Sequence, residues 1–154
     1  MTIDYFKIGE VAEILGATVR AIRYYEEEGL LVPHRTDGGT RLYSEQHIDR
    51  LRAILHLAGN GFSIEVIGLI GSTRKTCTTG DESSEKISGI IDSSITDVEE
   101  KIVSLSALKA ELKAAKNLIK KCNGCTNVPS SQDCPSCSVN KSLKKIEVLN
   151  LVWE

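Results

Sequence analysis

Ile8-Gly9-Glu10-Val11-Ala12-Glu13-Ile14-Leu15-Gly16-Ala17-Thr18-Val19-Arg20-Ala21-Ile22-Arg23-Tyr24-Tyr25-Glu26 decides the fold of this chain. Apolar residues at 8, 11, 12, 14 and 15 make a helical stripe, and Gly16-Ala17 breaks it. Thr18 is placed to cap a second helix from Val19 to about Glu28, which Gly29 stops. Two short helices joined by a tight glycine turn form a helix-turn-helix pattern.

The residues that follow sharpen this reading. Leu30-Leu31-Val32-Pro33 predicts extended chain, and Arg35-Thr36-Asp37-Gly38-Gly39-Thr40-Arg41-Leu42-Tyr43 predicts a hairpin whose Asp-Gly-Gly supplies positive-φ turn residues. Both arms carry an arginine, so the hairpin reads as a wing able to reach phosphates or a minor groove. Ser44 caps a third helix to about Asn60, Gly61 stops it, and Ser63 caps a fourth from Ile64 to Ile70. The polar residues 71–86 read as a hinge. This divides the chain into a DNA-binding domain at 1–72, a linker at 73–86, a long helix at 87–121 and a C-terminal segment at 122–154.

The long helix carries Ile91, Ile95, Val98, Ile102, Leu105, Leu108, Leu112, Ala115 and Ile119, a mean step of 3.5 residues. That is the seam of a coiled coil, and it needs a partner to be buried. Self-association into a homodimer is expected in preference to packing on the N-terminal domain. A short helix from Lys141 to Trp153 closes the chain. The fold class is mainly α: a winged helix-turn-helix, a dimerisation helix and a cysteine-rich loop.

The chemistry-bearing residues lie near the C-terminus. Cys122-Asn123-Gly124-Cys125 and Cys134-Pro135-Ser136-Cys137 are two CxxC pairs with eight residues between them. Four thiolates at this spacing can close a tetrahedral site for zinc or an iron–sulfur cluster. Disulfides are the competing reading, but no segment is long and apolar enough for a membrane span, and Met1-Thr2-Ile3-Asp4-Tyr5 has no signal-peptide pattern. The expected compartment is the cytoplasm, where thiols stay reduced. The three histidines, His34, His47 and His56, all fall in the N-terminal half, so an effector site must be sulfur-rich. Such a site favours soft or borderline dications: zinc, cadmium, mercury or lead.

Net charge is −2, and residues 1–56 hold seven basic against nine acidic side chains. DNA contact must therefore come from placed arginines rather than a basic domain. Residues 101–154 hold nine lysines against four acids. Lys120, Lys121, Lys141, Lys144 and Lys145 flank the cysteines and would offset the charge of a tetrathiolate centre. Ser, Asp and His do not combine in a catalytic pattern, and the CxxC pairs lack the βαβ context of a thiol oxidoreductase, so no enzyme activity is expected.

Lys7-Ile8-Gly9-Glu10-Val11-Ala12, Ala21-Ile22-Arg23-Tyr24-Tyr25-Glu26, Gly29-Leu30-Leu31 and Arg41-Leu42-Tyr43 resemble the N-terminal domain of MerR-family transcription regulators, over about residues 6–70. The resemblance implies an antiparallel coiled-coil homodimer on promoter DNA, where an effector distorts an overlong spacer until RNA polymerase can read both promoter elements. It implies DNA contacts from Thr18, Arg20, Arg23, Tyr24 and Tyr25 on the second helix and from Arg35, Gly38, Gly39 and Arg41 on the wing. Cys77 resembles the cysteine that divalent-metal sensors of this family place at the start of the dimer helix, where copper sensors carry serine. The implied metal ligands are Cys77, Cys122, Cys125, Cys134 and Cys137. Gln132-Asp133-Cys134-Pro135 is also similar to the redox-sensing members. The alternative is therefore a redox regulator using a [2Fe–2S] cluster or a dithiol switch.

Overall fold

A computed structural model of the chain describes residues 4–128, 134, 137, 139 and 146–151. The chain divides into two compact units, Met1–Ser93 and Ser94–Glu154.

The first unit is built from α1 (Ile8–Leu15), α2 (Val19–Glu27), β1 (His34–Arg35), β2 (Arg41–Leu42), α3 (Glu45–Gly59) and α4 (Ile64–Thr76). Local chemistry sets the ends of these helices. The Lys7 N–H donates to Glu10 at 2.6 Å to start α1, and Gly16 ends it in the left-handed region at φ 61°. Thr18 Oγ1 accepts from the Ala21 N–H at 3.1 Å and caps α2. Ser63 caps α4 by accepting from the Val66 N–H at 3.3 Å. The N–H of Ser44, at the start of α3, donates to His47 Nδ1 at 3.1 Å.

The hairpin pairs His34 with Leu42 and Arg35 with Arg41, antiparallel. Its turn is closed by Gly39 N–H to Thr36 O at 2.8 Å, with Gly39 at φ 78°. Tyr43 exchanges backbone hydrogen bonds with Phe6 at 2.8 and 2.9 Å, which fastens the end of the hairpin to the chain entering α1. Val11, Ile22, Tyr25, Leu30, Leu31, Tyr43, Ile48, Leu51, Ile54 and Ile67 form one core. Arg50 of α3 braces it by donating Nε to the Leu30 carbonyl at 2.6 Å and Nη2 to the Gly71 carbonyl at 3.3 Å.

The stretch expected to be a linker over 73–86 is mostly helix. α4 runs past Ile70 to Thr76, and α5 (Gly80–Ile119) starts seven residues before the expected position 87. The polar side chains that suggested a hinge are satisfied inside the helices. Ser72 Oγ and Thr73 Oγ1 donate to the Gly68 and Leu69 carbonyls at 2.7 and 2.6 Å. Thr79 caps α5 by accepting from the Glu82 N–H at 3.1 Å, while Glu82 accepts from Thr78 and Lys86. Cys77, Thr78 and Thr79 are what remains between the two helices.

In the second unit, α5 passes into a 3-10 turn at Lys120–Cys122, and a 3-10 helix at Glu147–Leu151 follows later in the chain. Ala115 and Leu118 pack with Val139 and Leu149. The Val148 N–H donates to Glu111 at 3.0 Å, holding the 3-10 helix to α5. Of the helix expected over Lys141–Trp153, residues 146–151 fall among those described; the remainder lies outside them. The expected seam of α5 is solvent-facing along most of its length, with Ile102 58% and Leu105 63% exposed. No helix among the described residues is long and apolar enough to cross a membrane.

Candidate functional site

The helical period of α2 sorts its side chains. Ile22 and Tyr25 turn into the core, while Arg20, Arg23, Tyr24 and Glu27 are exposed on the opposite side. Three of the residues implicated by resemblance thus share one open face. Tyr25 does not belong with them. At 8% exposure it is a core residue, because it follows Ile22 by three positions and shares that buried face. Thr18 is exposed at the helix N-terminus, its hydroxyl committed to the cap.

On the hairpin, Arg35, Gly38 and Gly39 are exposed. Arg35 donates Nη1 to the Gly39 carbonyl at 3.4 Å, which curls its guanidinium over the turn. Arg41 is half-buried and donates Nε to Glu26 at 2.7 Å. The other Glu26 oxygen accepts from the Tyr43 hydroxyl. Burial, and then this bonded carboxylate, push the Tyr43 phenol far above the ordinary tyrosine range, so the hydroxyl keeps its proton and donates. The sequence reading had missed Glu26. It stands in the run Glu26-Glu27-Glu28, and only its partners fifteen and seventeen residues away set it apart.

The cysteines are all thiols. Each CxxC pair forms a local turn: the Cys125 N–H donates to the Cys122 carbonyl at 3.0 Å, and the Cys137 N–H to the Cys134 carbonyl at 3.2 Å. Gly124, at φ 80°, supplies the left-handed residue of the first turn. Cys122 and Cys137, one from each pair, pack against the Ala115, Leu118, Val139 and Leu149 cluster. The Cys122 thiol is pushed up first by burial and then by the neighbouring Cys137, Cys125 and Cys134. All four therefore share one neighbourhood, although among the described residues no three metal-binding side chains are drawn to ligand spacing. The donor set suits a soft dication: four sulfurs on two turns, with apolar support beneath one sulfur of each. Lys120 and Lys121 stand beside it; Lys141, Lys144 and Lys145 lie outside the described residues. Cys77 belongs to the first unit, where it ends α4 and donates its Sγ–H to the Thr73 carbonyl at 3.2 Å.

Residues 6–70 match the model of the MerR HTH family regulatory proteins. The chain is 35% identical over 107 residues to the HTH-type transcriptional regulator ZntR homolog of Haemophilus influenzae, covering 69% of this chain and 77% of that protein. It is 31% identical over 142 residues to the mercuric resistance operon regulatory protein of Bacillus cereus, covering 91% of this chain and 98% of that one. Among solved structures it is similar to the transcription regulator PbrR691 from Ralstonia metallidurans in complex with lead(II). The identity is 29%, with a TM-score of 0.58 over 90% of this chain and 98% of that one.

Proposed function

The chain belongs to the MerR HTH family of transcription regulators, and on that premise we propose that it is a metal-responsive activator whose signal is a soft divalent ion bound at its C-terminal cysteines. Arg20, Arg23 and Tyr24 enter the major groove or meet its phosphates, with Thr18 at the helix N-terminus. Arg35, Gly38, Gly39 and Arg41 carry the wing along the backbone. Tyr25 supports the helix from behind. The exposed aliphatic seam of α5 pairs with a second copy, giving an antiparallel homodimer whose two heads address the halves of a roughly palindromic site.

Cys122, Cys125, Cys134 and Cys137 supply the thiolates, with Cys77 of the partner subunit as a further donor. When bound, a dication replaces the mutual repulsion of these thiolates with a shared positive centre. The turns at 122–125 and 134–137 hold the sulfurs, and the apolar cluster beneath them limits water. Ordering this segment biases the angle between the two DNA-binding heads. The bound promoter is thereby distorted and RNA polymerase reads it, with little change in DNA affinity. The observation that carries the proposal is that Cys122 and Cys137, one from each CxxC pair, meet on a single apolar cluster.

Single Cys→Ser variants in a promoter-reporter assay with zinc, cadmium, mercury and lead test it. Loss of response at Cys122, Cys125, Cys134 and Cys137 is expected. Normal response in all four sinks the metal-sensing reading, and normal response in Cys77→Ser removes the partner's donor alone. Aerobically purified protein with charge-transfer bands in the visible would assign the cysteines to an iron–sulfur cluster instead.

A further inference from the structure

Arg35 and Arg41 face each other directly across the β1–β2 ladder. Like charges opposite one another in an antiparallel pair repel, so a wing with this register needs a compensating anion. Glu26 provides it from the recognition helix, not from the wing. Its side chain is only 9% exposed, and one oxygen accepts from Arg41 Nε at 2.7 Å. The other accepts from the hydroxyl of Tyr43, a fully buried residue whose backbone is already tied to Phe6. One carboxylate therefore holds the return strand of the wing at two points. It engages Arg41 at Nε, and the Arg41 side chain stays 35% exposed, so part of the guanidinium remains open to solvent. A guanidinium held this way is pre-oriented and needs little ordering to meet a phosphate.

We propose that Glu26 is a positioning residue for DNA recognition: by holding Arg41 and Tyr43 it fixes the spacing between the recognition helix and the wing, so that both reach the duplex backbone together. This rests on the reading that both elements bind DNA. Glu26 itself touches no nucleic acid, and its negative charge would be repelled by phosphate were it not spent on Arg41 and Tyr43.

The test uses the full-length chain and a duplex selected by it from a random library. Affinities of the parent, Glu26→Gln, Arg41→Ala and the double variant are measured between about 50 and 200 mM salt. Glu26→Gln is expected to weaken binding about tenfold and to flatten the log-affinity against log-salt slope by about 0.9, one lost phosphate contact. Arg41→Ala should do the same, and the double variant should be no weaker than either single one. Three results overturn the proposal: a parental slope in Glu26→Gln with only a lowered melting temperature, tighter binding by Glu26→Gln, or losses that add in the double variant. Should Glu26→Gln fail to fold, Arg41→Lys takes its place. It keeps the charge but replaces the planar fork with a single ammonium on a shorter reach, so Glu26 no longer orients a separate edge toward the phosphate. The same loss is expected, and parental affinity and slope overturn the proposal. A parent that selects no duplex sinks the DNA-binding reading along with this one, whereas failure confined to the variants sinks only the role of Glu26.

Discussion

Gly71 and Arg50 set up a substitution whose effect should change sign with its background. Arg50 is held by the Leu30 carbonyl at 2.6 Å and, more weakly, by the Gly71 carbonyl at 3.3 Å. Leu30 is 5% exposed, so its carbonyl has little water to fall back on. Arg50→Leu keeps much of the aliphatic stem but strands that carbonyl. A bond to a charged donor is worth about 1.5–3 kcal/mol and the long second bond less, so a cost of about 2–3 kcal/mol is expected. A Cβ added at Gly71 would sit 2.6 Å from Arg50 Nη2, and its three nearest neighbours all belong to Arg50. The guanidinium cannot swing freely because Leu30 holds its other end. In the parent, Gly71→Ala therefore loses the Gly71 bond and strains the Leu30 bond against a helix-propensity gain of about 1 kcal/mol, for a net loss of about 1 kcal/mol. With Arg50→Leu already in place the obstruction is gone, and the same change should stabilise by about 1 kcal/mol. Native-state hydrogen exchange of the Leu51 and Ile54 amides, at one chain concentration for all four proteins, reads both values. A coupling of about 2 kcal/mol is expected. If Gly71→Ala has the same effect in both backgrounds within about 0.5 kcal/mol, the bracing role of Arg50 is wrong.

The other expectations concern pH, assembly and the cysteine segment. Burial, then His34 and Arg50, hold the His47 imidazole below its ordinary value, so the unfolded chain takes up this proton first as pH falls. Stability from this group is full above about pH 6.5 and is lost as pH drops through that value, so the parent's melting temperature should fall more between pH 7.5 and 5.5 than that of His47→Gln, which keeps an acceptor for the Ser44 N–H. Equal slopes for the two proteins would refute it. Leu105→Lys puts a charge in the α5 seam and should convert the dimer to monomer in sedimentation at micromolar concentration; a surviving dimer excludes this seam as the interface. Leu149 is 1% exposed beneath Cys122 and Cys137, so Leu149→Ala should cost about 2–5 kcal/mol locally and weaken zinc binding in a chelator competition without removing a ligand. Parental affinity would show that the apolar cluster does not support the thiolates.

Much of the first unit was legible because its decisions are local. Gly16, Thr18, Gly29, Ser44 and Ser63 are caps or stops whose partners lie within a few residues, and the structure uses them in those roles. The hairpin register follows from a turn closed within Thr36–Thr40. The burial of Tyr25 follows from its three-residue step from Ile22, whereas the family resemblance grouped it with the DNA-facing residues. The polar composition of 71–86 points to a hinge, but most of the stretch is helical. Ser72 and Thr73 back-bond to their own helix and Thr79 caps the next, so the polarity is consumed locally and the break shrinks to three residues.

What sequence could not reveal depends on distant partners. Glu26, Glu27 and Glu28 are chemically alike, and only the fold makes the first a buried acceptor for residues on another element. The cysteines show the same division. Each CxxC turn closes on itself through an N–H···O bond three residues long, so the proposed candidate donors are a local feature of the spacing. Bringing one pair to the other depends on Ala115 and Leu118 at the end of α5 and on Val139 and Leu149 much later in the chain, residues that carry no metal-binding signature. The candidate donors are thus written in eight positions, whereas the meeting of Cys122 and Cys137 rests on an apolar cluster spread over thirty-five residues, from 115 to 149. Substitutions in that cluster should therefore tune the response as strongly as changes to the thiols' immediate neighbours, because they alter the cost of assembling the site rather than its chemistry.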